Sequence, residues 1–138
     1  MASIEPSPEQ LQTLIAAAAD DTPIVMINLL RYRDRAAYPS GSDAAVCSGR
    51  EAYQRYGGSV TAMVIEAGGR ILWFGNVAQI VIGPDAERWD DAVLVQYPSR
   101  TAFITMVSRP DYLLASVHRT AALADSRLIA TSTLTNLL

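Results

Sequence analysis

Two stretches of this sequence, Ile24–Leu30 and Ile71–Ile82, are apolar on both of the sides that a β-strand presents. Side chains alternate along a strand, so a strand with one side in water reads apolar, polar, apolar. In the longer stretch one side would carry Ile71, Trp73, Gly75, Val77, Gln79 and Val81. The other would carry Leu72, Phe74, Asn76, Ala78, Ile80 and Ile82. Both sides need cover, so the chain must fold into a sheet with a layer on each face.

The rest of the sequence supplies one such layer. Ser7, Pro8 and Gln10 spell a helix start, and Leu11, Leu14, Ile15 and Ala18 follow at helical spacing, giving a helix over 7–20. Residues 34–48 are rich in Pro, Gly, Ser, Asp and Ala and read as a long loop. Ser48 or Gly49 opens a second helix with Tyr53, Tyr56, Val60, Met63, Val64 and Ala67 on one side, ended by Gly68-Gly69. Gly57-Gly58 in its middle cost about 2 kcal/mol against alanine, which calls for a kink or a close approach to the backbone. A turn at Gly83-Pro84-Asp85 leads to a third strand, Val93–Tyr97. Ser99 caps a short helix, Ser108–Asp111 breaks it, and a longer helix runs to about Ala124. A last strand spans Arg127–Thr135.

Without its leading helix the order is βαββαβ, a ferredoxin-like α+β plait in one domain over 1–138, with its core in 24–135. Such a plait places its helices on one face only. The simplest cover for the other is a second copy of the same sheet, which makes the expected assembly a homodimeric α+β barrel. The N-terminal helix lying across the sheet is the alternative, and it would leave a monomer.

Composition removes several classes of function. The chain has 138 residues and a net charge of −3, and all eleven of its cationic side chains are arginines. A mildly acidic chain lacks the basic footprint of a nucleic-acid binder. Cys47 is the only cysteine, and with His118 as the only histidine no metal set is spelled out. No phosphate-cradling glycine loop, dinucleotide fingerprint or hydrolase elbow occurs. Neither a signal peptide nor an 18-residue apolar span is present, so the expectation is a cytoplasmic protein with no membrane partner.

Six residues stand out as candidates for chemistry. His118 titrates nearest neutrality, and with Leu114, Val117 and Ala121 on its helical side it is expected to point inward, as a core histidine or as a general base. Asn28 interrupts an apolar strand and either bonds a neighbouring strand or orients a ligand carbonyl. Arg31 lies on the strand face opposite Asn28, where it either forms an ion pair or grips an oxyanion or carboxylate. Tyr53 and Tyr56 face inward and either pack in the core or line a small cavity, and Trp89 either caps the core or closes a pocket mouth.

Five segments taken together add a resemblance. They are VMINLLRYR at 25–33, GREAYQRYG at 49–57, GGRILWFG at 68–75, ERWDDAVLVQYPSRTAF at 87–103 and SRPDYLLASVHRTAALADSRLIAT at 108–131. Over about residues 24–131 the sequence resembles the domain-of-unknown-function 1330 family, a branch of the dimeric α+β-barrel superfamily. The resemblance implies the same fold and a homodimer. Because that superfamily holds cofactor-free monooxygenases, lactone isomerases and haem enzymes, it implies no single activity. The leading expectation is a small-molecule-binding dimer without a cofactor, acting on a small organic acid, lactone or aromatic metabolite. If it is an enzyme, proton transfer would use His118 as base and Arg31 as oxyanion holder, with Asn28 and Tyr53 orienting the substrate. A non-catalytic binder of a metabolite or another chain, and a haem-binding barrel with His118 as ligand, remain as alternatives.

Overall fold

The computed structural model describes residues 2–134. Its elements are α1 (Pro8–Ala16, continued by a 3-10 turn at Ala17–Ala19), β1 (Ile24–Tyr32), α2 (Gly49–Glu66), β2 (Arg70–Asn76), β3 (Asp91–Tyr97), α3 (Arg100–Val107), α4 (Pro110–Ala122) and β4 (Leu123–Thr131). The strands form one antiparallel sheet in the order β2-β3-β1-β4. Removing α1 and the short α3 leaves the βαββαβ plait, an α+β ferredoxin-like fold.

Local sequence explains where the helices begin. The Ser7 hydroxyl accepts from the Gln10 backbone N–H at 3.1 Å while the Gln10 side chain accepts from the Ser7 N–H at 2.9 Å. Ser48 and Glu51 make the same reciprocal pair at the start of α2, at 3.1 and 3.0 Å. Each box satisfies two donors that a helix end leaves open. One face of the sheet then packs on α2 and α4, through Ile24, Met26 and Leu30 of β1 and Val93, Val95 and Tyr97 of β3 against Val60, Met63 and Val64 of α2. The two helices meet through Ala52, Ala115 and Ala122, all buried.

Gly49 permits the tightest junction of the fold. A Cβ there would run into the carbonyl oxygen of Arg33 and would stand 2.6 Å from that of Ala122. The space is taken by backbone hydrogen bonds, Gly49 N–H to the Arg33 carbonyl at 3.0 Å and Arg33 N–H to the Ala122 carbonyl at 2.8 Å. These join the end of β1, the start of α2 and the end of α4 at one point. The long loop over 34–48 is also tied down, by Ala36 N–H to the Cys47 carbonyl and Ala37 N–H to the Ala121 carbonyl.

Several expectations need correction. β2 ends at Asn76, six residues before Ile82. Among the described residues its partner is β3, which starts at Asp91 opposite Asn76, and past that point only the Val77 N–H still bonds, to the Asp90 carbonyl. Val81 and Ile82 stand in solvent. α4 gives way to β4 at Leu123 without a loop, earlier than the expected start at Arg127, and β4 ends at Thr131. The expected strand end at Thr135 lies outside the described residues. α2 is unbroken through Gly57-Gly58, and nothing lies within 4 Å of a Cβ built on either, so no neighbour demands those glycines. α1 does not lie across the sheet: it buries no residue and packs beside α3, where the Thr101 hydroxyl donates to the Ala18 carbonyl.

Across its middle, the second face of the sheet is therefore bare among the described residues. The strand registers align Trp73, Leu94, Ile27 and Ile129 in one row across all four strands on that face. The two outer members, Trp73 and Ile129, are 52% and 48% exposed. β2, at one edge, has a bulge between Ile71 and Trp73, and the β1–β4 register shifts between Arg31 and Tyr32.

The glycines give a paired prediction. Gly49→Ala is expected to cost more than about 3 kcal/mol, because the new methyl meets backbone that cannot move aside. Gly58→Ala, in open space on the same helix, is expected to add about 1 kcal/mol. Urea unfolding of the two variants beside the wild type checks both signs.

Candidate functional site

At the end of the sheet where β1 leaves and β3 enters, the interior holds an ionised side chain. Asp91, the first residue of β3, is 1% exposed. One carboxylate oxygen accepts from the Tyr32 hydroxyl and from Arg50 Nη1, both at 2.6 Å. The other accepts from Asn76 Nδ2 at 3.1 Å. Those donors come from the last residue of β1, the first turn of α2 and the last residue of β2. Beside it, Asp90 accepts the Tyr32 backbone N–H at 2.8 Å and donates its own N–H to the Leu30 carbonyl at 2.7 Å.

This network forms one wall of a cavity of about 150 Å³ between α2 and the sheet, completed by Tyr53, Gln54, Gly57 and Phe74. The Arg50 guanidinium stacks 4.7 Å over the Tyr32 ring. From there a chain of rings crosses α2: Tyr32 to Tyr53 at 5.6 Å, Tyr53 to Tyr56 at 5.2 Å and Tyr56 to Tyr112 at 6.1 Å. The Tyr56 and Tyr112 hydroxyls are hydrogen-bonded at 2.8 Å. Among the described residues the Tyr53 hydroxyl has no such partner, which leaves it free to meet a bound molecule.

The charges are set firmly. Burial alone would raise the Asp91 carboxyl, but the hydrogen bonds from Tyr32, Asn76 and Arg50 outweigh it and hold the group below its ordinary value. Tyr32 is raised, by burial first and then by its bond to the Asp91 carboxylate. Burial also pushes Tyr53 up to about 12. At neutral pH the cavity offers a carboxylate, a guanidinium and neutral phenols.

The six sequence candidates do not converge on this place. Tyr53 lines the cavity, and Tyr56 stands next to it in the ring chain. Asn28 is on the same face of the sheet, where its amide donates to the Val93 carbonyl at 3.3 Å, a strand-to-strand bond. Arg31 is on the opposite face, as alternation requires, and lines a second cavity with Trp89. His118 lies elsewhere. Its Nδ1 meets the Tyr38 hydroxyl at 2.6 Å, and Arg55 donates to that same oxygen at 3.2 Å. The expected inward set on α4 is corrected here: Leu114 and Val117 are exposed, because α4 turns Ala115 and Ala122 toward α2 to let the helices approach. His118 lines neither of the two cavities. An axial haem ligand needs a large apolar chamber in front of it, whereas the His118 ring meets the polar Tyr38 hydroxyl, itself bonded to the Arg55 guanidinium.

Sequence reasoning passed over Tyr32, Arg50 and Asp91. The signal for two of them was present. Period two places Asp91 with Val93, Val95 and Tyr97, and Tyr32 with Met26 and Leu30, on faces that are otherwise buried. A carboxylate in such a row must have partners.

The folded Asp91 carboxyl titrates below its ordinary value of 3.8, so its stabilising effect is complete above that range and is lost as pH falls through the folded value. Asp91→Asn is expected to lower stability by about 2 kcal/mol at neutral pH, leaving the Tyr32 hydroxyl and Arg50 poorly matched. The gap between variant and wild type should close below about pH 4. Melting curves run in parallel across that range measure the gap, and a constant difference would argue against an ionised Asp91.

Comparison with known proteins places this geometry. A protein of unknown function from Rhodopseudomonas palustris has a crystal structure similar to this chain at 38% identity and a TM-score of 0.89, covering 98% of this chain and 99% of its own. A hydroxynitrile lyase from Passiflora edulis aligns at 11% identity with a TM-score of 0.56, over 86% of this chain and 99% of the lyase. A protein from Bacteroides fragilis, described as dimeric, of unknown function and ferredoxin-like in fold, aligns at 12% identity and a TM-score of 0.51, over 80% of this chain and 96% of its own. The last two are likenesses of fold alone. No curated protein matches the chain. The family model for the domain of unknown function (DUF1330) matches residues 45–132. On that match and the 38% identity to the Rhodopseudomonas palustris protein, the chain belongs to the DUF1330 family.

Proposed function

We propose that this protein is a homodimer that binds a small organic acid, lactone or aromatic metabolite in the Asp91 cavity of each protomer. The observation that carries the reading is the buried Asp91 carboxylate, held by three donors at the wall of a cavity that also presents the free hydroxyl of Tyr53. A volume of about 150 Å³ suits a molecule the size of a substituted benzene ring. Tyr53 and Phe74 supply flat apolar walls, and Arg50, its side chain 47% exposed, is placed at the mouth to meet an acid group.

Binding is favoured over proton transfer at this cavity by the direction in which its groups are shifted. An acid–base catalyst works best with a group poised near the working pH. Here Asp91 is driven down and Tyr32 and Tyr53 are driven up, all away from neutrality. A catalytic role would fall instead to the one close pair that contains an imidazole, Tyr38 and His118 at 2.6 Å. That pair favours a second reading, a cofactor-independent proton-transfer enzyme working beside the 34–48 loop.

The assembly follows from the bare face. Among the described residues the apolar row Trp73–Leu94–Ile27–Ile129 has no cover, since α1 lies against α3. A two-fold axis through the sheet would set two such rows against each other. The dimeric Bacteroides fragilis protein, alike in fold, lends this support.

Light scattering on the purified protein should give twice the 14.9 kDa chain mass, and Leu94→Glu should halve it. Benzoate and small lactones, titrated under amide NMR, should shift residues around Asp91. Arg50→Gln should weaken benzoate by about tenfold and leave an uncharged lactone little changed. Gly57→Ala should weaken both while raising stability by about 1 kcal/mol, because its methyl enters the cavity. Shifts gathered around Tyr38 and His118, abolished by His118→Ala, would favour the second reading.

A further inference from the structure

On the opposite face of the sheet from Asp91, at the same end, lies a second cavity of about 280 Å³ whose chemistry is different. Three of its lining residues are arginines: Arg31 from β1, Arg127 from β4 and Arg88 from the connection between β2 and β3. The buried Trp89 ring also lines it, with the Arg127 guanidinium stacked over that ring at 4.9 Å. Two carboxylates are also present, Glu87 and Asp125, and both are already engaged. Glu87 accepts the Trp89 indole N–H at 3.2 Å. A single Asp125 oxygen accepts the backbone N–H groups of Ser3 and Ser126 and Nη1 of Arg127, each at 2.9 Å.

Arg31 is the telling residue. The β1–β4 register sets it directly across from Asp125, the usual position for a cross-strand ion pair. Yet the described ion pairs include Arg127 with Asp125 and none for Arg31. Asp125 is held by the N-terminal segment and by its own strand, and among the described residues neither the half-buried Arg31 nor the exposed Arg88 has an ion-pair partner. Three guanidiniums against two carboxylates leave the cavity lining with one excess positive charge. Planar guanidinium forks are suited to gripping oxyanions two oxygens at a time.

We propose that this cavity is a binding site for a small oxyanion, a phosphate or a carboxylate group, held by Arg31 and Arg88 with Arg127 fixed on Trp89 as the third side. The site is separate from the Asp91 cavity, since alternation along β1 sends Tyr32 to one face and Arg31 to the other. It stands whether or not the Asp91 cavity takes a ligand.

Trp89 makes the test direct. The chain has two tryptophans, so Trp73→Phe leaves Trp89 as the only indole, stacked on one of the proposed ligating residues. Inorganic phosphate and malonate, added at constant ionic strength, should each change its fluorescence saturably if the site accepts any oxyanion. A response to one alone supports the site and assigns the group. Arg88→Gln, on the surface and safe for folding, should weaken the response by about tenfold, and Arg31→Gln by at least as much. No saturable change with either anion overturns the proposal, and so does a response that both substitutions leave intact. A third outcome also overturns it: anion-insensitive wild type whose dimer is weakened by Arg31→Gln, which would assign these arginines to the contact between subunits.

Discussion

A carboxylate shut away from water forces everything around it into place. Asp91 is the one charged side chain buried among the described residues, and an unpaired charge there would cost several kcal/mol. Its oxygens are met by donors from β1, α2 and β2, and Asp91 itself begins β3. Four segments far apart in sequence thus have a single point of agreement. Asp90 adds a backbone clamp on both sides, taking the N–H groups of Tyr32 and Val77 through its side chain and carbonyl. The network also marks where β2 stops: Asn76 turns its amide to Asp91 and to the Asp90 carbonyl, and the Val77 N–H bond to that same carbonyl closes the pairing.

Most of the fold was legible in the sequence because it rests on local signals. The serine caps at Ser7, Ser48 and Ser99 and the period-two pattern of β1 and β3 depend on near neighbours in the chain. The misplaced edges depend on distant ones. The residues from Val77 to Ile82 have every local property of a strand and lack only a partner, which is fixed by where β3 begins. The twin glycines of α2 misled in another way. Their cost suggested a neighbour pressing on the helix, and the structure puts open space there. Gly49, which looked like an ordinary helix start, is the glycine that the packing requires.

The candidate site was less legible, because residue type was weighed above position. A lone histidine draws the eye, yet His118 belongs to a separate, half-buried cluster with Tyr38 and Arg55. Arg31 and Asn28 were placed on the correct opposite faces, and that separation is what keeps them from sharing one ligand. Tyr53 was placed on the inward side of its helix because helical periodicity is robust over the 18 residues of α2. Its neighbours along the cavity wall, Tyr32 and Asp91, sit at strand ends beside acidic and arginine-rich loops, where a polar residue looks unremarkable until its strand phase is followed through.

The bulge between Ile71 and Trp73 has a consequence for how such a chain behaves in a crowd. β2 is an edge strand, and a straight, apolar edge is a template on which further strands can add without limit. An irregularity in its middle breaks the even spacing of free N–H and C=O groups, so a newcomer can match one half of the edge but not both. Sideways growth at the β2 edge is frustrated, while the broad face beside it is left open.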